Sequence, residues 1–336
     1  EHCKQLSKQQ WNQVCNSLDG QMNAGQTWRM LKHLLDPDNT KSAHKQTLRK
    51  LVHQYNGSEE DFIAEASNTY IPAMPVIEHG PYSGGPNELL DEEFTVAEIR
   101  AALQKLNTKS APGPDGITNR TLQNLDDQVI ENIMQYINEC WIEGTIPKQW
   151  KKAKVILILK PGKPPDLSNL RPISLTSCAG KLMEHAFLDR INTYLEENEI
   201  YPDSMLGFRT RLSTQDAMLQ IKQQILDNKT RATRAILGLD LTNAFDKASH
   251  TAILHQMCQL SLGLRGYNYV KDFLTDRTAS IVMGELRSEE RLMGSAGTRQ
   301  GSVMSPMLFS LIMIRLPARL NSIYGIHHSI YADDIT

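Results

Sequence analysis

No stretch of this 336-residue sequence is apolar for long enough to span a bilayer, and no secretory pattern opens it. Cysteine is sparse. The five copies, Cys3, Cys15, Cys140, Cys178 and Cys258, are odd in number, scattered and never spaced as CxxC. That fits a reducing compartment and argues against a disulfide framework or a zinc knuckle. His250, His255, His327 and His328 lack HExxH-type spacing, so metal binding by them is not expected. An excess of one charge is also missing: the formal net charge is −2, so any binding of nucleic acid must rest on local basic patches. What remains is a globular composition, 40% hydrophobic, with room for two average domains or one large multi-lobed one.

Periodicity and turn residues divide the chain. Residues up to about Tyr70 read as helices, with Ser58 and Asp61 spaced as a capping box and Trp11 and Trp28 packing helices together. The stretch 71–87 carries Pro72, Pro75, Pro81, Pro86 and three glycines, cannot continue a helix and reads as a linker. The expected organisation is therefore a helical extension over 1–70, a linker over 71–93 and a main body over 94–336. Thr95 and Glu98 again have capping-box spacing, and Val96, Ile99, Leu103 and Leu106 predict a helix to about Asn107. Two prolines and two glycines in SAPGPDGI, Ser110 to Ile117, force a rigid turn. Ile130, Ile133, Met134, Ile137 and Trp141 form a core stripe ended by Gly144, and Phe187, Leu188, Ile191, Tyr194 and Leu195 form another. Ser213 and Asp216 cap a helix whose Met218, Ile221 and Ile225 are expected to face inward. Residues 254–274 read as helical and 278–283 as a strand, with a second strand near Arg291 and a helix from Met307 that Pro317 kinks or stops.

The chemistry gathers at two short apolar strands. In RAILGLDLTNAFD, alternation puts Leu237, Leu239 and Leu241 on one face and Ile236, Gly238 and Asp240 on the other. In SIYADD, Ile330 and Ala332 share one face, and Ser329, Tyr331 and Asp333 share the other. Pairing of the two strands would bring Asp240 and Asp333 together. Two unit charges about 4 Å apart repel by roughly 4 kcal/mol at an effective dielectric near 20, so such a pair must share a proton or hold a cation. Oxygen ligands without nearby Cys or His favour a hard ion, Mg²⁺ before Zn²⁺. A second feature is basic: Lys148, Lys151, Lys152, Lys154, Lys160 and Lys163 crowd around the strand VILIL, opposed in sequence only by Asp166 before Arg171. Such a cluster is either a solvated face or a phosphate-holding surface.

These stretches resemble the A and C motifs of reverse transcriptases, specifically those of non-LTR (LINE-like, Jockey/I-type) retrotransposons. The resemblance runs from about Phe94 to Thr336, with the motifs in the family's order. It implies an α+β fold: the fingers and palm of a right-hand polymerase, without a thumb, behind a helical extension like the family's connector to an upstream endonuclease. It implies Asp240, Asp333 and Asp334 as catalytic residues, and Asp240, Leu241, Asp333 and Asp334 as the metal set for two Mg²⁺ ions, with Mn²⁺ possible. Lys160 and Arg171 of RPISL would meet the incoming triphosphate, Arg171 being favoured because guanidinium forks match phosphate geometry. Phe245 would exclude a 2′-hydroxyl by volume. GTRQGSVMSP resembles motif B, in which Gln300 reaches a sugar or base edge and Gly301 leaves room; Arg299 stands where proline is common. Lys109, Lys163, Arg209 and Arg211 would contact nucleic acid. For the loop beside Lys109, and for the Arg209–Arg211 pair in the GFR…ST-like block, an ordinary surface role is an equal reading.

The activity so implied is RNA-directed DNA synthesis, with an RNA template, a DNA primer and dNTPs as partners and no membrane. Two other readings are a non-catalytic binder of RNA or RNA–DNA hybrid, surviving in a decayed element, and an RNA-templated RNA polymerase, against which Phe245 argues. A group II intron-type maturase shares the enzyme class, but APGPDG and GTRQGS look more LINE-like. The chain starts at Glu1 without methionine and stops inside the YADD hairpin. Both ends look cut, and the fragment alone is expected to be weakly active or inactive, in the cytoplasm and nucleus.

Overall fold

The structure, a computed structural model, describes residues 41–73, 75–223, 235–298 and 301–336. Trp11, Trp28, Ile225, Arg299 and Gln300 lie outside the described residues. The chain forms two compact units, one of residues 1–59 with 158–170 and one of residues 60–157 with 171–336. In the first, helix α1 spans Lys41–His53. Its other segment turns at Gly162 (φ 71°), with the Lys160 N–H donating to the Asn169 carbonyl and Asp166 capping the 3-10 turn Leu167–Asn169.

The second unit is a mixture of helices and strands. Helix α2 (Glu59–Tyr70) buries Phe62, Ile63 and Ala66. Helix α3 (Val96–Lys105) starts at the capping box of Thr95 and Glu98. Helix α4 (Asp127–Glu143) ends where Gly144 takes φ 67°, a left-handed conformation that glycine adopts at little cost. Strand β1 (Lys152–Leu159) buries alternate residues, Ala153, Val155 and Leu157, and β2 (Leu170–Leu175) lies beside it. Helix α5 (Cys178–Glu197) supplies the centre of the core: Leu182, Met183, Ala186, Phe187, Ile191 and Leu195 are all buried. Trp141 of α4 is fully buried against Phe94, Phe187 and Tyr269, and its indole N–H donates to the Glu92 carbonyl. Burial of each such side chain is worth about 1.5–3 kcal/mol.

Helix α6 spans Thr214–Lys222 with the expected Ser213–Asp216 capping box, but Met218, expected to face inward, is 70% exposed. Strand β3 is only Leu239–Asp240. The single helix expected over 254–274 is two, α7 (His250–Gln259) and α8 (Leu264–Leu274). Ser261 (φ 50°) and Gly263 (φ 86°) break it, and the Asp91 carboxylate caps the restart by accepting from the Leu264 and Arg265 N–H groups. That cap comes from far upstream in the sequence, so local periodicity could not reveal it. The Pro/Gly stretch expected as a linker packs onto this break. Tyr82 stacks near Tyr267 and its hydroxyl accepts from Gly263 N–H, while Gly85 N–H donates to Ser261 Oγ.

Strand β4 (Thr278–Met283) runs parallel to β1, from Lys152 opposite Thr278 to Ile156 opposite Val282. Strands β5 (Leu286–Arg287) and β6 (Arg291–Leu292) pair antiparallel with β4, completing a sheet ordered β2-β1-β4-β5 with β6 also on β4. Helices α9 (Ser305–Met313) and α10 (Leu316–Asn321) follow, with Pro317 at the start of α10 after a break at Ile314–Arg315. Strands β7 (Ile330–Tyr331) and β8 (Asp334–Ile335) join β3 in a second sheet, ordered β3-β8-β7. Among the described residues, no helix is long and apolar enough to cross a membrane.

Candidate active site

The small sheet brings the carboxylates together, in a register that differs from the expected one. Asp240 lies directly opposite Asp334, not Asp333, in the antiparallel β3–β8 pair. The reason is the turn: Tyr331 pairs with Asp334, so Ala332 and Asp333 are its two central residues, and Ala332 takes φ 59°. Alternation carried through to Asp333 assumes a strand that has already reversed. Directly opposed residues of an antiparallel pair share a face with Cβ atoms about 4.5–5.5 Å apart, and like charges there are destabilising. Asp240 and Asp334 are exposed, Asp333 is half-buried, and none of the three has an ion-pair partner among the described residues. Leu241, half-buried, packs on the core immediately after β3.

The turn is clamped from its other side. Ile330 N–H donates to the Ser204 carbonyl, and the Leu206 N–H donates to the Ile330 carbonyl, both at 2.8 Å. A Cβ on Gly207 would stand 2.2 Å from the Ala332 nitrogen, so only glycine allows this approach. Arg209 holds that loop in place. Its guanidinium donates to Glu196 through Nε (3.0 Å) and Nη2 (2.6 Å) and to the Pro202 and Met205 carbonyls through Nη1. Glu196 keeps it firmly protonated, raising its pKa. Arg209 is thus committed to the loop, whereas Arg211 is exposed without an ion pair among the described residues.

Phe245 is half-buried in an aromatic row, edge-on to Phe208 at 6.0 Å and stacked on Phe309 of α9 at 4.8 Å. Its carbonyl accepts from the Thr298 N–H, and Gly297 N–H donates to the Ala248 carbonyl, each at 2.8 Å. Gly297 (φ 92°) and Gly301 (φ 116°) both need the left-handed region, and a Cβ on Gly301 would lie 2.2 Å from the Ser174 carbonyl oxygen of β2. A cavity of about 330 Å³ opens here, with Pro172, Ser174, Asn243, Lys247 and Thr298 on its wall.

The basic residues differ in partners and exposure. Lys151 is buried and pairs with Asp272 at 2.8 Å, and Lys152 reaches Glu290 at 3.1 Å, so two of the crowded lysines are neutralised by acids distant in sequence. Arg171 is exposed at the start of β2 with no ion pair among the described residues. Lys160 and Lys163 belong to the other compact unit, half-buried and exposed respectively. Lys109 is exposed beside SAPGPDGI, where a Cβ on Gly113 would meet the Thr176 backbone at 2.5 Å, so that loop rests on the entry to α5.

Two buried charges escaped the sequence reading, Glu184 and Arg277. A signal for Glu184 existed: it stands three, seven and eleven residues before Phe187, Ile191 and Leu195, on the same buried helical stripe.

The donor set around the rung is carboxylate oxygen, with Leu241 able to add a backbone carbonyl, which suits a hard divalent cation. Among the described residues, no three His, Cys, Asp or Glu side chains gather closely enough to form a cluster for one ion. The fit therefore rests on the facing pair of acids, whose repulsion a cation would relieve.

Comparison with known proteins bears on the same segments. The reverse transcriptase (RNA-dependent DNA polymerase) family model matches residues 158–336. The chain is 33% identical over 227 residues to the RNA-directed DNA polymerase from mobile element jockey of Drosophila melanogaster, covering 66% of this chain and 24% of that one. It is 32% identical over 253 residues to its Drosophila funebris counterpart, covering 73% and 27%. A third relative, the probable RNA-directed DNA polymerase from transposon BS of Drosophila melanogaster, is 34% identical over 226 residues, covering 66% and 24%. The chain spans about a quarter of the length of these relatives.

Proposed function

This chain belongs to the reverse transcriptase family, and on that premise we propose that it performs RNA-directed DNA synthesis as the polymerase portion of a non-LTR retrotransposon polypeptide. The small sheet β3-β8-β7 with its backing helices is the palm, and the β1–β2 region belongs to the fingers. One observation carries the reading: Asp240 faces Asp334 across β3–β8, with Asp333 at the adjoining turn. Two exposed like charges held opposite one another give the fold nothing and are what a cation-dependent phosphoryl transfer requires.

The facing pair Asp240 and Asp334, with the Leu241 carbonyl beside it, would hold Mg²⁺, and Asp333 at the adjoining turn would add negative charge. When bound, the metal supplies charge neutralisation at the attacking and leaving oxygens. The chain's own groups then bind and orient. The exposed Arg171 guanidinium grips the nucleotide phosphates in a bidentate manner, and Gly301 keeps the loop flat against β2 so that the nucleotide can approach. The primer 3′-oxygen forms a bond to the α-phosphorus of a dNTP as the bond to the β-phosphate oxygen breaks and pyrophosphate leaves. Catalysis of this kind is mostly positioning and electrostatics. Phe245, held between Phe208 and Phe309, presents a ring that cannot swing away, and a 2′-hydroxyl would meet it.

Primer extension on an RNA template with Mg²⁺ tests the proposal. Asp240→Asn is expected to reduce the rate by about a hundred- to a thousandfold, the scale for removing a preorganised charge-stabilising group. An unchanged rate overturns the carboxylate assignment and favours a non-catalytic nucleic-acid binder. Extension with rNTPs as readily as with dNTPs would favour the RNA-templated RNA polymerase.

A further inference from the structure

The N-cap residue of helix α9, Met304, supplies no side-chain cap, Pro306 occupies the first turn, and the local help is Ser302 Oγ, which accepts from the Met304 N–H at 3.2 Å. A helix start leaves N–H groups without intrahelical partners and a partial positive charge. Here an acid from another helix meets the need. Glu184 of α5, 3% exposed, accepts from Ser302 Oγ and Val303 N–H, both at 2.7 Å, and from Met304 N–H at 3.4 Å. All three contacts converge on a single oxygen, Oε2.

The position of this anchor gives it significance. Thr298 is held where its N–H donates to the Phe245 carbonyl, and residues 302–304 are held by Glu184. Gly301 lies between these points, against the Ser174 carbonyl. The nearby charge is Arg277, also buried, whose Nη1 donates to the Phe273 carbonyl. Burial lowers the Arg277 pKa, and the negative charge of Glu184 works against that shift.

We propose that Glu184 is a positioning residue for the nucleotide site: by holding residues 302–304 at the start of α9 from α5 it fixes Gly301 beside β2 and so sets one side of the pocket the incoming nucleotide enters. Glu184 touches no substrate and acts only through the loop. The inference rests on the polymerase reading for its nucleotide part and on geometry alone for the anchor.

The test uses the 336-residue chain and two measurements. Hydrogen exchange reads the Val303 amide, and fluorescence titration with a labelled dATP in Mg²⁺ reads nucleotide affinity. Glu184→Gln retains an acceptor oxygen, whereas Glu184→Ala and the longer, apolar Glu184→Met do not. The expected result is that Glu184→Ala loses protection at the Val303 amide and binds labelled dATP about tenfold more weakly, with Glu184→Gln within about threefold of the parent because it keeps an acceptor oxygen in place. Glu184→Met, which keeps the length of the side chain without an acceptor, is expected to match Glu184→Ala and covers the case in which Glu184→Ala fails to fold. Full protection of the Val303 amide in Glu184→Ala, or in Glu184→Met where only that variant folds, overturns the anchor. Nucleotide affinity that stays at the parent value while protection is lost overturns the positioning role. A parent chain that binds no labelled dATP counts against the polymerase reading and removes the nucleotide part, and the exchange data then decide the anchor by themselves.

Discussion

The core around α5 and the carboxylate sheet are built on opposite terms. In the core, Trp141, Phe94, Phe187 and Tyr269 are all at most 2% exposed and meet at tilted or edge-on angles, between helices of 17 and 20 residues with proper ends. The second sheet has three strands of two residues each. It exposes Leu239 at 48%, and it sets Asp240 against Asp334. Strands that short cannot sustain themselves. They stay in place because Ser204, Leu206 and Gly207 clamp Ile330 and the turn from outside. Stability is made in one region and used in the other, as expected where function demands groups that folding disfavours.

The largest effect that could break this contrast is at Trp141. Trp141→Ala is expected to lose about 3–5 kcal/mol, read from urea unfolding, since a fully buried indole, its hydrogen bond to Glu92 and three aromatic contacts vanish together. A loss under about 1 kcal/mol would show that the stabilising core lies elsewhere. Next comes Gly207→Ala. Its Cβ would collide with backbone rather than with a flexible side chain, so about 1–3 kcal/mol is expected, in the range of overpacking. The damage should be local, with exchange quickening at Tyr331 and Ala332 and leaving Trp141 protected. A neutral substitution would mean that loop and turn do not touch.

The same contrast explains what the sequence could disclose. Local signals were legible: two of the three expected capping boxes, Thr95–Glu98 and Ser213–Asp216, and the glycine stop at Gly144 form as their spacing predicts. The meeting of the two acidic strands was legible through the order of the resembling motifs, since alternation says which residues share a face and not which strands pair. The register was not legible, since it depends on which two residues make the turn. Partners distant in sequence were also hidden. Nothing near Lys151 announces Asp272, nothing near Gly263 announces Asp91, and nothing near Arg209 says that Glu196 and two carbonyls will occupy it. Met218 failed for a related reason: helical period says which residues share a face, not whether anything covers that face.

A smaller effect separates the regions by pH. Burial lowers the His185 pKa, with Lys105 and Lys181 adding to the shift and Asp189 opposing it. A histidine whose folded pKa lies below its unfolded value contributes fully above the usual 6.5, and the contribution is lost as pH falls through the folded value. Unfolding free energy should therefore fall below neutral pH, and His185→Gln should flatten that acid limb. An acid limb unchanged by the substitution would place the titration elsewhere, for example at His328, which burial also lowers.

The smallest expected effect is the most discriminating, because its sign is unusual. Asp334→Asn removes one of two like charges opposed across β3–β8, and relieving such a pair should stabilise the metal-free chain by about 0.2–1 kcal/mol. Adding Mg²⁺ should reverse the order. A ligand that binds only the folded state stabilises by RT ln(1 + [L]/Kd), so the parent chain, with both acids to offer, should gain more than the variant. The two melting curves would then cross as Mg²⁺ is raised, the variant ahead without metal and the parent ahead with it. A variant less stable than the parent in both conditions would show that Asp334 is held by an attractive contact, and the opposed acids would no longer mark a site that folding tolerates for the sake of a cation.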